Sequence, residues 1–189
     1  MRCFLAVPLR SPALDAAQEV LQRLRSDVGA VRWARPETLH ITLHFFGAIA
    51  DERVAAALDA VRATLNASAH FEIVIDTMGS FPERGRPRVL WLGSSHESQE
   101  LRQLADGVRS RLRAAAFDVD ERPFRSHVTL GRPREPWPNE ARAAWDDARS
   151  RGLSPSAFVA DRAVLFESVT GREAAVYVNR AEIPFTGAR

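Results

Sequence analysis

The tetrapeptide His-x-Thr-Leu occurs twice, as His40-Ile41-Thr42-Leu43 and as His127-Val128-Thr129-Leu130. Histidine, with an ordinary pKa of about 6.5, can take or give a proton near neutral pH. Threonine offers a hydroxyl that can donate to an oxyanion. In both copies apolar and polar residues alternate and β-branched types dominate, which predicts a strand. Alternate residues of a strand share a face, so each copy sets a histidine and a threonine on one side and two aliphatic residues on the other. Two such strands side by side would gather two imidazoles and two hydroxyls over one cleft. One neutral and one charged imidazole could then move protons at a phosphate whose non-bridging oxygens the hydroxyls hold. Each ring must come within about 3 Å of the oxygen it serves.

Threonine is a poor metal ligand and no carboxylates cluster near the motifs, so neither a metal nor another cofactor is expected. The spacing from His40 to His44 matches that of a zinc-binding helix. However, Ile41 stands where that motif needs glutamate, and the segment reads as a strand.

Composition narrows the chemistry further. All 26 basic residues are arginine, and the formal charge is +2. Arginine keeps its proton and grips phosphate with a planar fork. Without lysine there can be no Schiff base, no lysyl-nucleotide intermediate and no P-loop lysine. Cys3 is the single cysteine, which excludes an internal disulfide and a cysteine zinc site. No apolar run approaches the ~18 residues of a membrane span. The expectation is a soluble cytoplasmic protein, monomeric, with no membrane partner. The 189 residues, 46% hydrophobic, suit a single domain spanning 1–189 or two small lobes sharing an interface.

The elements that must position the motifs repeat with them. The motif histidines lie 87 residues apart, and the same offset sets Leu14, Ala17 and Leu21 on Leu101, Leu104 and Val108. It also sets Phe4-Leu5 on Trp91-Leu92, Phe71 on Phe158, and the segment 51–66 on 138–153. Each half reads strand, helix, motif strand, helix, strand. Ser11 is expected to cap a first helix with Pro12 at its first position. That helix carries the stripe Leu14, Ala17, Leu21, Leu24, Val28. Val54, Leu58, Val61 and Leu65 mark the second helix. Leu101, Leu104, Val108 and Leu112 mark the third, and Trp145 anchors a fourth over 138–150. Further strands are expected at Phe71–Asp76, Val89–Leu92, Phe158–Glu167 and Ala174–Ala181. The fold class is α+β: a bilobal internal duplication, with two antiparallel-type sheets and outer helices facing each other across a central cleft.

With these flanks, the chain resembles the 2H phosphoesterases, and more narrowly the RNA 2′,3′-cyclic phosphodiesterases, also called 2′-5′ RNA ligases. The resemblance rests on Cys3-Phe4-Leu5-Ala6-Val7, Arg32-Trp33, Pro36-Glu37-Thr38-Leu39 with the first motif, Phe45-Phe46-Gly47, and the block from Phe124 to Arg132. Ser126 departs from the pattern, in which proline usually precedes the second histidine. The resemblance implies hydrolysis of an RNA 2′,3′-cyclic phosphate end to a 2′-phosphate. His127 would be the proton acceptor, His40 the proton donor, and Thr42 and Thr129 would hold the phosphate. The residues alone leave the two histidines interchangeable. The implied partner is an RNA with a cyclic phosphate end, tRNA fragments among the candidates, or a nucleotide. Reversible 2′-5′ ligation is a related option, and without lysine it must reuse the energy of the cyclic phosphate. The alternatives are a phosphodiesterase of a small cyclic nucleotide and an RNA-binding module without turnover.

Further substrate-binding candidates are Arg132, Arg125, Phe45 and His44. Arg132 resembles a family arginine, but strict alternation turns it away from His127, so a bulge would be needed to bring it back. Arg125 has the right parity. His44 shares the parity of His40 and Thr42. Phe45, Phe46 or Trp33 could stack on a base, although Phe45 and Phe46 point to opposite faces and one should be core. Arg84, Arg86, Arg88 and Arg134 could touch an RNA backbone; a solvated loop is the ordinary reading. His70 and His96 are assigned nothing.

Overall fold

Each helix forms where apolar residues recur at three- and four-residue spacing, and buries that stripe. In the computed structural model, which describes residues 1–169 and 176–188, α1 spans Ala13–Asp27, α2 Asp51–Asn66, α3 Gln99–Ala114 and α4 Asn139–Ser150. Helix α1 buries Ala13, Ala17, Leu21 and Leu24; α2 buries Val54, Ala57, Val61 and Leu65. Helix α3 buries Leu101, Leu104, Ala105, Val108 and Leu112, and α4 buries Ala141, Trp145 and Ala148. The Ser98 hydroxyl caps α3, accepting the Leu101 N–H at 3.2 Å. Ser11 does not cap α1. Pro12 holds the capping position, and the Ser11 hydroxyl donates instead to the Asp15 carboxylate at 2.9 Å.

The strands are β1 (Arg2–Pro8), β2 (Val31–Trp33), β3 (His40–Ala48), β4 (Phe71–Ile75), β5 (Thr77–Phe81), β6 (Val89–Gly93), β7 (Val128–Pro133), β8 (Ser156–Ala160), β9 (Arg162–Val169) and β10 (Val176–Pro184). The expected strand Ala174–Ala181 opens β10 from Val176; its first two positions lie outside the described residues. The expected single strand Phe158–Glu167 is two strands in two sheets, broken at Asp161. Aspartate is depleted in strands. This one is held by ion pairs to Arg162 at 3.1 Å and Arg10 at 3.7 Å. Strands β2 and β5 were not expected. They are short, and Gly79 interrupts the alternation of β5.

Among the described residues all pairings are antiparallel, and the order is β10-β9-β1-β3-β7-β6-β5, with β2 against β7. The expectation of one sheet per half takes a different form. A single ladder-connected sheet runs through both halves, and β3 meets β7 at one residue pair, Ile41–Val128. Strands β4 and β8 make a separate two-stranded sheet. The helices also pack across the halves, α1 on α4 and α2 on α3. Their apolar faces and the inner face of the sheet close one core, in which Leu5, Leu21, Leu90, Leu101 and Trp145 are fully excluded from solvent. Burying one such leucine stabilises the fold by about 1.5–3 kcal/mol. Among the described residues, no helix is long and apolar enough to cross a membrane.

Candidate active site

The Ile41–Val128 pair aligns the two motifs. Both side chains are buried, so the residues on either side of each point to the opposite face. His40 and Thr42 flank Ile41, and His127 and Thr129 flank Val128. Antiparallel geometry sets His40 across from Thr129 and Thr42 across from His127. The histidines form the diagonal of the patch, a separation of roughly 7–8 Å between neighbours of this kind. The proximity has an electrical signature: the charge of His127 is one of the influences that lower the pKa of His40.

Each imidazole is held in the same way. His40 Nδ1 lies 2.6 Å from the carbonyl oxygen of Thr38, and His127 Nδ1 lies 2.9 Å from that of Arg125. A carbonyl can only accept, so Nδ1 carries the hydrogen in both rings and Nε2 is left for chemistry. The Thr38 carbonyl is itself fixed by a 3-10 turn, Pro36–Thr38, closed by the Thr38 hydroxyl on Arg35 O at 2.7 Å.

Aromatic rings wall both histidines. His40 stacks on Phe4 at 4.7 Å and meets the edge of Tyr177 at 5.5 Å, with Phe166 beyond at 6.1 Å. His127 stands perpendicular to Phe81 at 5.1 Å, and Phe81 in turn leans on Trp91. This burial makes the charged imidazole costly. It drives His40 down to about 4, against the upward pull of the Thr38 carbonyl. His127 is also lowered, mainly by burial and then by the Arg132 charge, with the Arg125 carbonyl opposing.

A cleft of about 960 Å³ is lined among others by Thr42, Phe45, Phe81, Arg109, His127 and Arg132, while His40 and Thr129 stand outside its lining. Two bulges at the motifs shape it, and β3 carries another at Phe46. Ala6 faces Thr42 and Leu5 faces His44, so Leu43 is an extra residue in β3. Trp91 faces Thr129 and Leu90 faces Gly131, so Leu130 is the extra residue in β7. The first two bulges therefore fall on the two motif leucines. This register equates Ala6-Val7 with Trp91-Leu92, correcting by two residues the alignment of Phe4-Leu5 expected from the repeat. An extra residue reverses the alternation beyond it. Phe45 and Arg132 consequently return to the cleft face, Phe45 being 64% exposed. Arg132 has the bulge its candidacy required.

The bulge at Leu43 corrects the expectation that His44 shares the face of His40 and Thr42. His44 is only 8% exposed. It sits opposite Leu5 and borders the cleft from below, its ring edge-on to Phe46. Burial and then the Arg109 charge hold its pKa down. Arg125 stands at the rim with its guanidinium on Glu83 at 2.6 Å. Phe46 and Trp33 pack against the core. Arg84, Arg86, Arg88 and Arg134 are outside the residues lining this cleft.

The family model described as the 2′-5′ RNA ligase superfamily matches residues 12–172. The chain belongs to this superfamily. An RNA 2′,3′-cyclic phosphodiesterase of Archaeoglobus fulgidus is 35% identical over 141 residues, covering 75% of this chain and 77% of the relative. Another, of Geobacillus stearothermophilus, is 30% identical over 185 residues. That alignment covers 98% of this chain but 57% of the relative, so the chain spans little more than half of that protein's length. A crystal structure from Thermus thermophilus superposes with a TM-score of 0.80 at 24% identity, covering all of both chains. The crystal structure of E. coli LigT complexed with 3′-AMP gives 0.76 at 22% identity over 98% of each. Both structures share this superfamily member's fold.

Several residues around the histidines carried no signal in the sequence. Phe81, Phe166 and Tyr177 come from strands outside the motifs, and only sheet order brings them to the rings. Arg109 arrives on α3, and Asp120 and Arg122 on the segment following it. Asp120 is lowered to about 2 by its hydrogen bonds to Arg122. Tyr177, the chain's one tyrosine, is raised by burial and pulled back by the Arg132 charge, so it neighbours both His40 and Arg132.

Proposed function

We propose that this superfamily member hydrolyses RNA 2′,3′-cyclic phosphate ends to 2′-phosphates by a two-histidine acid–base mechanism without a metal. The observation that carries the reading is the matched pair of Nδ1–carbonyl bonds, which leaves both Nε2 atoms available on adjacent strands. His127 Nε2 takes a proton from water as the water oxygen attacks phosphorus. The bond from phosphorus to O3′ breaks, and His40 Nε2–H supplies the proton that O3′ needs. Thr42 and Thr129 donate to the non-bridging oxygens, where charge builds. Arg132 adds a fixed positive charge, Arg125 lines the rim, and the exposed Phe45 ring offers a stacking face for a base. The relatives named as RNA 2′,3′-cyclic phosphodiesterases support the substrate class.

In the free protein both imidazoles are neutral at pH 7, because both pKa values are lowered from 6.5. The negative phosphate must therefore raise His40 before it can act as the acid; an adjacent anion has this effect. If an RNA 5′-hydroxyl replaces water, the same steps join two ends through a 2′-5′ linkage, as the superfamily's name suggests.

We also infer a duplicated construction within one domain spanning 1–189. Helices α1 and α3, helices α2 and α4, the two Nδ1 clamps and the two motif bulges recur at nearly the same offset. The two halves would be lobes with the cleft between them.

The test is a short RNA ending in 2′,3′-cyclic phosphate, incubated with chelator-treated protein. The expected product is the 2′-phosphate. It should vanish in both His40→Ala and His127→Ala. Release of 3′-phosphate, or full activity in either variant, overturns the mechanism.

A further inference from the structure

Glu97 is a charged residue that the site as described does not use, and it is largely withdrawn from solvent. Its carboxylate side chain is only 14% exposed. One oxygen, Oε1, accepts the backbone N–H of Ser126 at 2.8 Å. The other, Oε2, is held by the Arg102 guanidinium through Nε at 2.9 Å and Nη2 at 2.7 Å. Arg102 belongs to α3, and the cap at Ser98 fixes the residue next to Glu97. The carboxylate thus ties the segment before β7 to the N-terminal turn of a helix rooted in the core.

That segment decides where the His127 ring stands. Arg125 supplies the carbonyl that orients Nδ1, and Ser126 is the link between the carbonyl and the histidine. No regular ladder holds it, since β7 begins only at Val128. The N–H exists because the residue is serine; a proline has none.

We infer that Glu97 is a positioning residue for His127, acting through the Ser126 backbone rather than through its charge. The inference rests on the reading of His127 as the proton acceptor. It adds that the segment entering β7 is held at position 126 by a hydrogen bond to the residue just before the α3 cap. A misplacement of about 1 Å at a reacting group can cost on the order of 10²-fold in rate, so loosening this tether should be visible in kcat.

The experiment is a cycle of Glu97→Ala, Glu97→Gln, Ser126→Pro and Ser126→Pro/Glu97→Ala, assayed on the cyclic-phosphate RNA. Melting temperature confirms that each variant is folded. Glu97→Ala should lower kcat by about tenfold or more with KM nearly unchanged. Glu97→Gln keeps an acceptor oxygen and should stay within about threefold of the parent. In the Ser126→Pro background there is no N–H to hold, and Glu97→Ala should change kcat little. An unchanged kcat in Glu97→Ala, or the same loss with and without Ser126→Pro, overturns the inference. Should Ser126→Pro not fold, the His127 imidazole nitrogen signals in Glu97→Ala decide: an unchanged Nδ1 hydrogen bond overturns it, and a weakened one supports it. A fully active His127→Ala would instead overturn the reading of the site on which this rests.

Discussion

His40 should titrate far below the ordinary histidine range, and the protein should lose stability in acid because of it. Burial against Phe4, Phe166 and Tyr177, with His127 nearby, takes its pKa from 6.5 to about 4. Below pH 6.5 the unfolded chain binds a proton at this residue that the folded chain refuses. Stability is therefore fully present above pH 6.5 and falls as pH drops towards 4. At about 1.36 kcal/mol per pH unit, the loss is roughly 3 kcal/mol. Other groups titrate in the same window, with His44 and His127 contributing in the same direction, so the comparison must be made against His40→Gln. Urea unfolding of both proteins from pH 7.5 to 3.5 gives a difference curve from which shared groups cancel. That difference should change by about 3 kcal/mol across the window, with the parent losing more. The imidazole resonances of His40 should report the same low pKa directly. A difference curve flat with pH, or a His40 resonance titrating near 6.5, would refute the claim that this ring is desolvated. Saturating 2′-nucleotide should then shift the His40 resonance to a higher pKa, since an anion beside it favours the imidazolium.

The pH dependence of catalysis follows from the same groups. Because both histidine pKa values are lowered in the free protein, kcat/KM should peak on the acid side of 6.5, whereas kcat, reporting the bound state, should peak at higher pH. Coincident profiles count against a substrate-raised acid. Phe45→Ala removes an exposed ring and should leave melting unchanged while raising KM for RNA several-fold, consistent with a stacking contribution of about 1–3 kcal/mol per base. An unaltered KM excludes base stacking there. Gly79→Ala should destabilise by about 1–3 kcal/mol. The added Cβ would lie 2.1 Å from a ring carbon of Trp91, forcing the indole off β5 and disturbing the wall beside His127. A neutral effect in thermal melts would show that the ring has room to move.

Local pattern carried much of the architecture. Three apolar stripes and Trp145 mark the four helices, and Trp145 is buried as the anchor of the fourth. The alternation through His40-Ile41-Thr42 and His127-Val128-Thr129 gave the correct faces, because a two-residue period is a property of the strand alone. Where alternation failed, at His44, Phe45 and Arg132, the cause lies in the partner strand. Leu43 and Leu130 are extra residues only relative to β1 and β6, and nothing within β3 or β7 announces a ladder mismatch. The split at Asp161 is of the same kind, since the two strands differ in their partners rather than in their propensity.

Sequence by itself therefore determined the chemistry available: two imidazoles, two hydroxyls, arginine as the only strong cation, and the faces these present on short strands. Tertiary structure alone decided how they meet. One pair, Ile41–Val128, sets the motifs in register; two upstream carbonyls fix the rings; and aromatic residues from distant strands remove water from them. The division follows from range. Residue type and periodicity act within a few positions, while register, bulges and burial arise from contacts between segments far apart in the chain.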